Sequence, residues 1–373
     1  MKELSKIVVD SAPIWYKGRN LSGNLSGETR NNMRIGIVGF GKMGMLHGAL
    51  LNSIEGVEIA AIADTSKMVL RAFKSVLPHI KYFSSYEAML DQCSLDAVII
   101  STPSFSHIPI AKYAANRDVN IFIEKPMSSN LEQAVGLYEL LKEKPLVCMI
   151  GFSSRYIPTF VKGKEIIESN ILGKIDSVKA QAYIADVFTK QGGWRYNKSL
   201  SGGGVLIDVG VHMIDLLCWY FGKIGSVRGS IKSIYSENVE DEANTHLNFK
   251  NGLGVGFDCS WSKVGYRKLY LKMEIVGEKG EMIITDQNVT RKLYNSDDAE
   301  SDSVTLNYAD LYEGYYIDLG EPQYSVQMTK FTENVKNRMK SDVDVEAGLY
   351  VQNIIDGIYK SASQKEEIIL NGD

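Results

Sequence analysis

Asp208, His212 and Asp215 fall at i, i+4 and i+7 of an otherwise apolar segment, Val205–Tyr220, so a helix there sets all three on one stripe. Ionisable groups on an apolar helix are costly unless they face a cleft or one another. A lone histidine in such a place is more often a satisfied core residue, but carboxylates on both sides turn the reading toward a functional stripe. A bound metal is the rival chemistry. It is set aside, with no metal expected, because these donors come from one helix and no second histidine-rich segment accompanies them.

A second group is Gly39-Phe40-Gly41-Lys42-Met43-Gly44. Its first glycine permits a tight turn, its second lets backbone approach a pyrophosphate, and its third lets helix and strand pack closely. The pattern alone is weak, and three features of context strengthen it: a strand precedes it, a helix follows it, and Asp64 ends the next strand twenty residues past Gly44. A carboxylate there accepts hydrogen bonds from an adenosine ribose and repels a 2′-phosphate, which favours NAD; Lys67 softens the preference and keeps NADP as the second choice.

Glu124-Lys125-Pro126 closes another strand. Ligands of an open α/β sheet bind beyond the carboxyl ends of its strands, and Pro126 keeps Lys125 out of the helical region, so the lysine stays at the strand tip facing the cleft. Ser101 ends a third strand and Thr102, Pro103 and His107 follow it, Arg155 and Tyr156 follow a fourth, and Trp194-Arg195 precede Gly202-Gly203-Gly204. Each alone is an ordinary loop residue; together they line the expected crevice.

The elements that must position these residues are legible as a rhythm. Short runs rich in Val and Ile, apolar on both faces, occur at Arg34–Gly39, Val57–Asp64, Ala97–Ser101, Val119–Glu124 and Leu146–Phe152, as strands buried inside a parallel sheet read. Helices are expected around Lys42–Ser53, Lys67–Val76, Tyr86–Asp91, His107–Asn116 and Asn130–Lys142. This outlines an α/β, doubly wound parallel sheet over residues 33–152. Beyond it, over residues 153–373, strand-like stretches succeed one another: Ile175–Phe188, Ser226–Ser236, Thr245–Phe249, Gly252–Trp261, Lys268–Val276 and Glu281–Thr285, with Asn251-Gly252 as a hairpin turn. Helices at Val205–Tyr220 and Val345–Ala362 complete an α+β domain with a large, open, mostly antiparallel sheet, the last helix being free to pack back on the first domain. Residues 1–32, dominated by Ser, Asn and Gly from Gly18 to Asn32, read as a flexible extension or as an arm anchored by Trp15 and Tyr16.

Composition bounds the partners. The chain has 373 residues, enough for two domains, and its 41 Lys+Arg against 45 Asp+Glu leave no basic surplus for a nucleic acid. Its richest apolar stretch, Val205 to Phe221, is interrupted by Asp208, His212 and Asp215, so no membrane span is expected. Four scattered cysteines without a C-x-x-C pair, and no basic-then-apolar leader, suit reduced thiols in the cytoplasm.

Taken in order, Gly39-x-Gly41-x-x-Gly44, Glu124-Lys125-Pro126 and Asp208-x-x-x-His212 resemble the Gfo/Idh/MocA oxidoreductases, the glucose-fructose oxidoreductase and inositol dehydrogenase group, from Met33 to the C-terminus. The resemblance implies a Rossmann domain followed by a sheet-bearing domain, NAD(P)-dependent dehydrogenase chemistry on CH-OH groups of a sugar-like small molecule, and homodimers or homotetramers packed through that sheet. It implies Lys125 as the catalytic, substrate-orienting lysine, His212 as acid/base and Asp208 as a substrate-positioning partner, with Ser101, Thr102, Pro103, His107 and Glu124 along the cofactor. The segment from Gly193-Trp194-Arg195 to His212 is similar to members acting on sugars and nucleotide sugars, without selecting one. Residues 1–32 depart from the family pattern. Two other functions stay open: an NAD-retaining glycoside hydrolase with transient redox, and a non-catalytic dinucleotide-dependent sensor.

Overall fold

The computed structural model describes residues 32–294, 303–311 and 321–370; residues 1–31, on which the reading of an N-terminal extension falls, lie outside the described residues. Six strands form the first sheet: β1 (Met33–Val38), β2 (Val57–Ala63), β3 (Lys81–Phe83), β4 (Ala97–Ile100), β5 (Asn120–Ile123) and β6 (Cys148–Ile150). All pair in parallel, in the order β3-β2-β1-β4-β5-β6. Between them run α1 (Lys42–Asn52), α2 (Lys67–Val76), α3 (Tyr86–Gln92), α4 (His107–Ala115) and α5 (Leu131–Leu141). Ser66, Ser85 and Asn130 start α2, α3 and α5 by accepting a backbone N–H with their side chains. The strands run apolar on both faces because helices cover both: Ile35, Ile37, Ile99 and Ile121 have no exposed surface. The short edge strand β3 carries too few residues for a periodicity, and the sequence reading passes over it.

Among the described residues the second sheet has nine strands. They are β7 (Ile175–Tyr183), β8 (Ile224–Lys232), β9 (Glu242–Phe249), β10 (Gly254–Ser260), β11 (Tyr270–Gly277), β12 (Gly280–Thr285), β13 (Asn288–Leu293), β14 (Ser303–Asn307) and β15 (Ile368–Ile369). Their order is β14-β13-β12-β11-β7-β10-β9-β8-β15, antiparallel except for the β7 and β10 pair. The hairpin at Asn251-Gly252 is present, with Gly252 at φ +89°. Two strands end earlier than the apolar pattern suggests. β8 stops at Lys232 because the N–H groups of Ile234, Tyr235 and Ser236 all donate to Asp241 Oδ2, at 2.5, 2.7 and 2.9 Å. β7 stops at Tyr183 because the chain turns out, with Asp186 and Val187 donating to the Trp261 carbonyl.

Two helices carry no expectation in the sequence reading: α6 (Pro158–Glu168), which precedes the strands, and a helix of sixteen residues (Pro322–Asn337), which follows them and comes before the last helix. Both have lysines and glutamates scattered through them, which hides the period of their apolar faces. Between β7 and β8 lie α7 (Lys198–Ser201), a π-helical turn at Leu206–Gly210, and α8 (Val211–Phe221). The helical run Lys198–Phe221 is apolar enough to cross a membrane, yet 83% of its apolar window is buried in this fold, as a core helix is. After β14 come a four-residue helix, α9 (Tyr308–Leu311), then α10 (Pro322–Asn337) and α11 (Val345–Gln364). α10 packs on α1, and α11 packs on both α5 and β8, so the end of the chain lies across both sheets. Gly348 permits that approach: a Cβ there would stand 2.7 Å from Met127 Sδ and 2.9 Å from Ile150 Cγ1.

Candidate active site

The turn after β1 is built around its glycines. Gly39 sits at φ +84°, and a Cβ on Gly44 would lie 2.0 Å from the Gly39 carbonyl oxygen, so α1 packs against the loop only without a side chain there. Gly41 differs: a Cβ on it would meet nothing in this chain within 4 Å. It is the N-cap of α1, no side chain caps that terminus, and no acidic residue occupies the first turn. An uncapped helix N-terminus beside an open glycine suits a pyrophosphate, and these residues therefore fit a dinucleotide. Ser101 braces the loop by donating to the Gly39 carbonyl at 2.8 Å. Asp64, at the tip of β2, accepts from Phe40 N and Ser66 N, both at 2.7 Å. Lys42 and Met43 form the first turn of α1, while the Phe40 ring is buried edge-on against Phe73, leaving only its backbone at the loop.

At the tip of β5 the Lys125–Pro126 peptide is cis, and the Lys125 ammonium donates to Asp208 twice, to the main-chain oxygen at 2.9 Å and to Oδ1 at 3.1 Å. Asp208 sits in the π-helical turn, a distortion common at functional sites. Its Oδ2 accepts a hydrogen bond from Arg195 Nε at 2.8 Å and forms an ion pair with Nη2 at 2.7 Å; Arg195 Nη1 reaches Asp186 at 2.5 Å, and the guanidinium lies over the Trp261 ring. Burial by itself would raise the Asp208 carboxyl, but the flanking Lys125 and Arg195 hold it well below the usual carboxylate range. His212, one helical turn on, is buried with Nδ1 3.3 Å from Ser154 Oγ. Burial first, and then the Lys125 cation, push its imidazole down to about 3, with Asp208 pulling the other way. The arrangement is thus a cation and a permanent carboxylate beside an imidazole held unprotonated, the state a proton acceptor starts from, with the cation able to stabilise a developing oxyanion.

Several residues expected to line the crevice have other partners. Arg155 donates to both carboxylate oxygens of the fully buried Asp215, at 2.8 and 2.6 Å, and Tyr156 donates to Asp342 at 3.2 Å. The reason is electrostatic: a carboxylate with no exposure needs a paired guanidinium, so Asp215 leaves the functional stripe and takes Arg155 with it. His107 is likewise turned inward, its ring nitrogens 2.9 and 2.8 Å from the carbonyl oxygens of Pro126 and Thr102, tying together the ends of β4 and β5. Thr102 Oγ1 accepts from Ser106, and Pro103 opens the short turn that leads into α4. Trp194 is 40% exposed, in the turn that presents Arg195.

The sequence reading sets Glu124 along the cofactor but misses the partner that holds it, His47. Glu124 is buried beneath Lys125, its Oε1 2.5 Å from His47 Nε2 and its Oε2 accepting from Lys125 N at 3.2 Å. Burial opposes its ionisation, but His47 and the nearby cations hold it charged below the ordinary range. His47 could have been singled out as a polar residue on the buried face of α1. Asp186, Ser154 and Trp261 carried no local signal, because only the folded chain brings them to Arg195 and His212. Among the described residues no group of three His, Cys, Asp or Glu side chains is placed to hold a metal.

Comparison with known proteins agrees with this architecture. Residues 33–152 match the family model of an oxidoreductase family with an NAD-binding Rossmann fold, and residues 160–283 match that of the GFO/IDH/MocA C-terminal domain. The chain is 26% identical over 329 residues to oxidoreductase P35 of Formosa agariphila, spanning 86% of this chain and 96% of that one. It is 25% identical over 332 residues to scyllo-inositol 2-dehydrogenase (NAD(+)) of Bacillus subtilis, spanning 86% and 92%. The solved structure of levoglucosan dehydrogenase in complex with NADH and L-sorbose shares the fold, with a TM-score of 0.84 at 22% identity over 92% of this chain and 100% of that one.

Proposed function

This chain belongs to the GFO/IDH/MocA family of NAD-binding oxidoreductases, and from that premise we propose that it transfers a hydride between NAD and a secondary alcohol or ketone on a sugar or inositol ring. The observation that carries the reading is the Lys125–Asp208–His212 cluster at the carboxyl end of β5, where a doubly wound sheet presents its ligand. When bound, the nicotinamide supplies the hydride acceptor or donor. The chain's residues do the rest. Lys125 hydrogen-bonds the reacting oxygen and stabilises its charge, and His212, neutral in the resting site, takes the hydroxyl proton directly or through a water. Asp208 fixes the Lys125 ammonium and accepts from a neighbouring hydroxyl, while Arg195 and Trp194 border the substrate. Relatives named for scyllo-inositol, myo-inositol and levoglucosan support a cyclic polyol as the substrate class.

Asp64 supports NAD over NADP, since a 2′-phosphate would meet its carboxylate. We assign cofactor binding to residues 33–152 and substrate binding to residues 153–373, and place the enzyme in the cytoplasm, with four unpaired cysteines as support. The outer face of the nine-stranded sheet, which includes Ser177, Lys179, Asn244 and His246, is exposed in this chain and is the surface for a homodimer or homotetramer. An absorbance screen of NAD and NADP reduction against inositols, free sugars and nucleotide sugars, with Lys125→Ala as control, tests the reaction. Reduction with one polyol class, lost in the control, is the expected result. Sugar release with no net change in NADH absorbance overturns it in favour of a hydrolase.

A further inference from the structure

We propose that Glu240 is a positioning residue: it anchors the start of the helical run that carries Asp208 and so sets where Asp208 meets Lys125. The inference rests on the reading of the Lys125–Asp208–His212 cluster given above. Glu240 lies in the turn between β8 and β9, is 4% exposed, and has neutral donors as its partners. Its Oε1 accepts from Gly204 N at 2.9 Å, Leu206 N at 3.0 Å and the Tyr359 hydroxyl of α11 at 2.8 Å; its Oε2 is 2.9 Å from Gly204 N. Its main-chain oxygen accepts from Val205 N at 3.0 Å. One residue from a distant turn therefore satisfies three consecutive N–H groups at the start of this run, a place where a negative charge is also favoured by the helix dipole.

The Gly202-Gly203-Gly204 triplet, otherwise without a role in the proposed chemistry, is what lets this anchor close. Gly202 adopts φ +88°, a Cβ on Gly203 would stand 1.9 Å from the Tyr359 hydroxyl, and a Cβ on Gly204 would stand 2.0 Å from the Glu240 carbonyl oxygen. Asp208 then follows two residues after the last anchored N–H, with its own N–H donating to the Gly204 carbonyl at 3.1 Å. Both contacts to the Lys125 ammonium come from Asp208, one from its main chain and one from its carboxylate. A displacement of the anchor therefore moves both at once.

Glu240→Gln keeps the shape but turns an amide N–H₂ toward backbone donors. It should lower kcat by roughly 10–100-fold, the scale of an ångström-sized misplacement, while NAD affinity and the substrate KM change little. Amide exchange at residues 204–210 should accelerate at the same time. In an Asp208→Asn background the further loss in kcat should vanish, whereas a purely structural role would add its loss in full. Tyr359→Phe, which removes one donor, is the milder variant if Glu240→Gln does not fold, and should raise exchange in the same segment to a smaller degree. Unchanged exchange at 204–210 overturns the anchor whatever the substrate proves to be, and so separates its failure from a wrong reading of the reaction. Faster exchange with wild-type kcat, or losses that add to those of Asp208→Asn, overturns its link to Asp208.

Discussion

His212 shows how far a residue's environment can depart from its type. An unperturbed imidazole titrates near neutrality, but here burial and the Lys125 charge push it down to about 3. The sign is fixed by that direction: as pH falls from about 8 to about 5, an ordinary histidine gains a proton and His212 does not. Histidine NMR of the apoprotein should accordingly show the His212 imidazole staying neutral across this range, and a midpoint near 6.5 assigned to it would contradict the buried geometry. His212→Ala should reduce turnover by ~10²–10⁴-fold, with the dissociation constant for NAD little altered; wild-type turnover would remove His212 from the mechanism. Asp208 and His212 were visible as a pair in the sequence, one helical turn apart on an apolar segment. Arg155 and Asp215 were visible too, but not their pairing, since nothing local says that Asp215 is fully buried beside Arg155.

Among the elements, the turn from β1 to α1 separates two uses of glycine that the motif alone does not distinguish. Gly44 is required by the chain itself, because its Cβ would collide with the Gly39 carbonyl, whereas Gly41 leaves space the chain does not use. Gly44→Ala should therefore destabilise the protein by about 1–3 kcal/mol in urea titrations, the usual range for overpacking. Gly41→Ala should melt like the wild type yet bind NAD about tenfold or more weakly, which is ~1.4 kcal/mol at least. Equal stability losses in the two variants would refute the distinction. The strands of the first sheet other than β3 were legible because burial on both faces makes them uniformly apolar. α6 and α10 were not: only one side of each is buried, and lysines and glutamates are spread along both.

For the molecule as a whole, the position of the last two helices is what joins the sheets. α10 packs on α1, and α11 lies against both α5 and β8, so the two sheets share the packing of these helices. Differential scanning calorimetry should show one transition, and NAD at a hundred times its dissociation constant should shift all of it, equivalent to about 2.7 kcal/mol. Two transitions, of which NAD moves one, would show that the halves are energetically separate. β15 closes the β8 edge of the nine-stranded sheet with a two-residue strand, which leaves less unpaired backbone at that edge.

The sequence alone determined the succession along the chain of five of the first sheet's six strands and of its helices, the glycine turn with its acidic partner Asp64, the lysine held at a strand tip by Pro126, and the Asp208–His212 spacing. These follow from local rules of period, turn chemistry and backbone restriction, which act over a few residues. The tertiary structure decided which charges pair. Arg195 could have met several carboxylates and meets Asp186 and Asp208; Glu240 reaches Gly204 and Leu206 across 36 and 34 positions of chain; Glu124 finds His47 across 77. Desolvation makes those pairings strong, and it exists only once the core has closed around them.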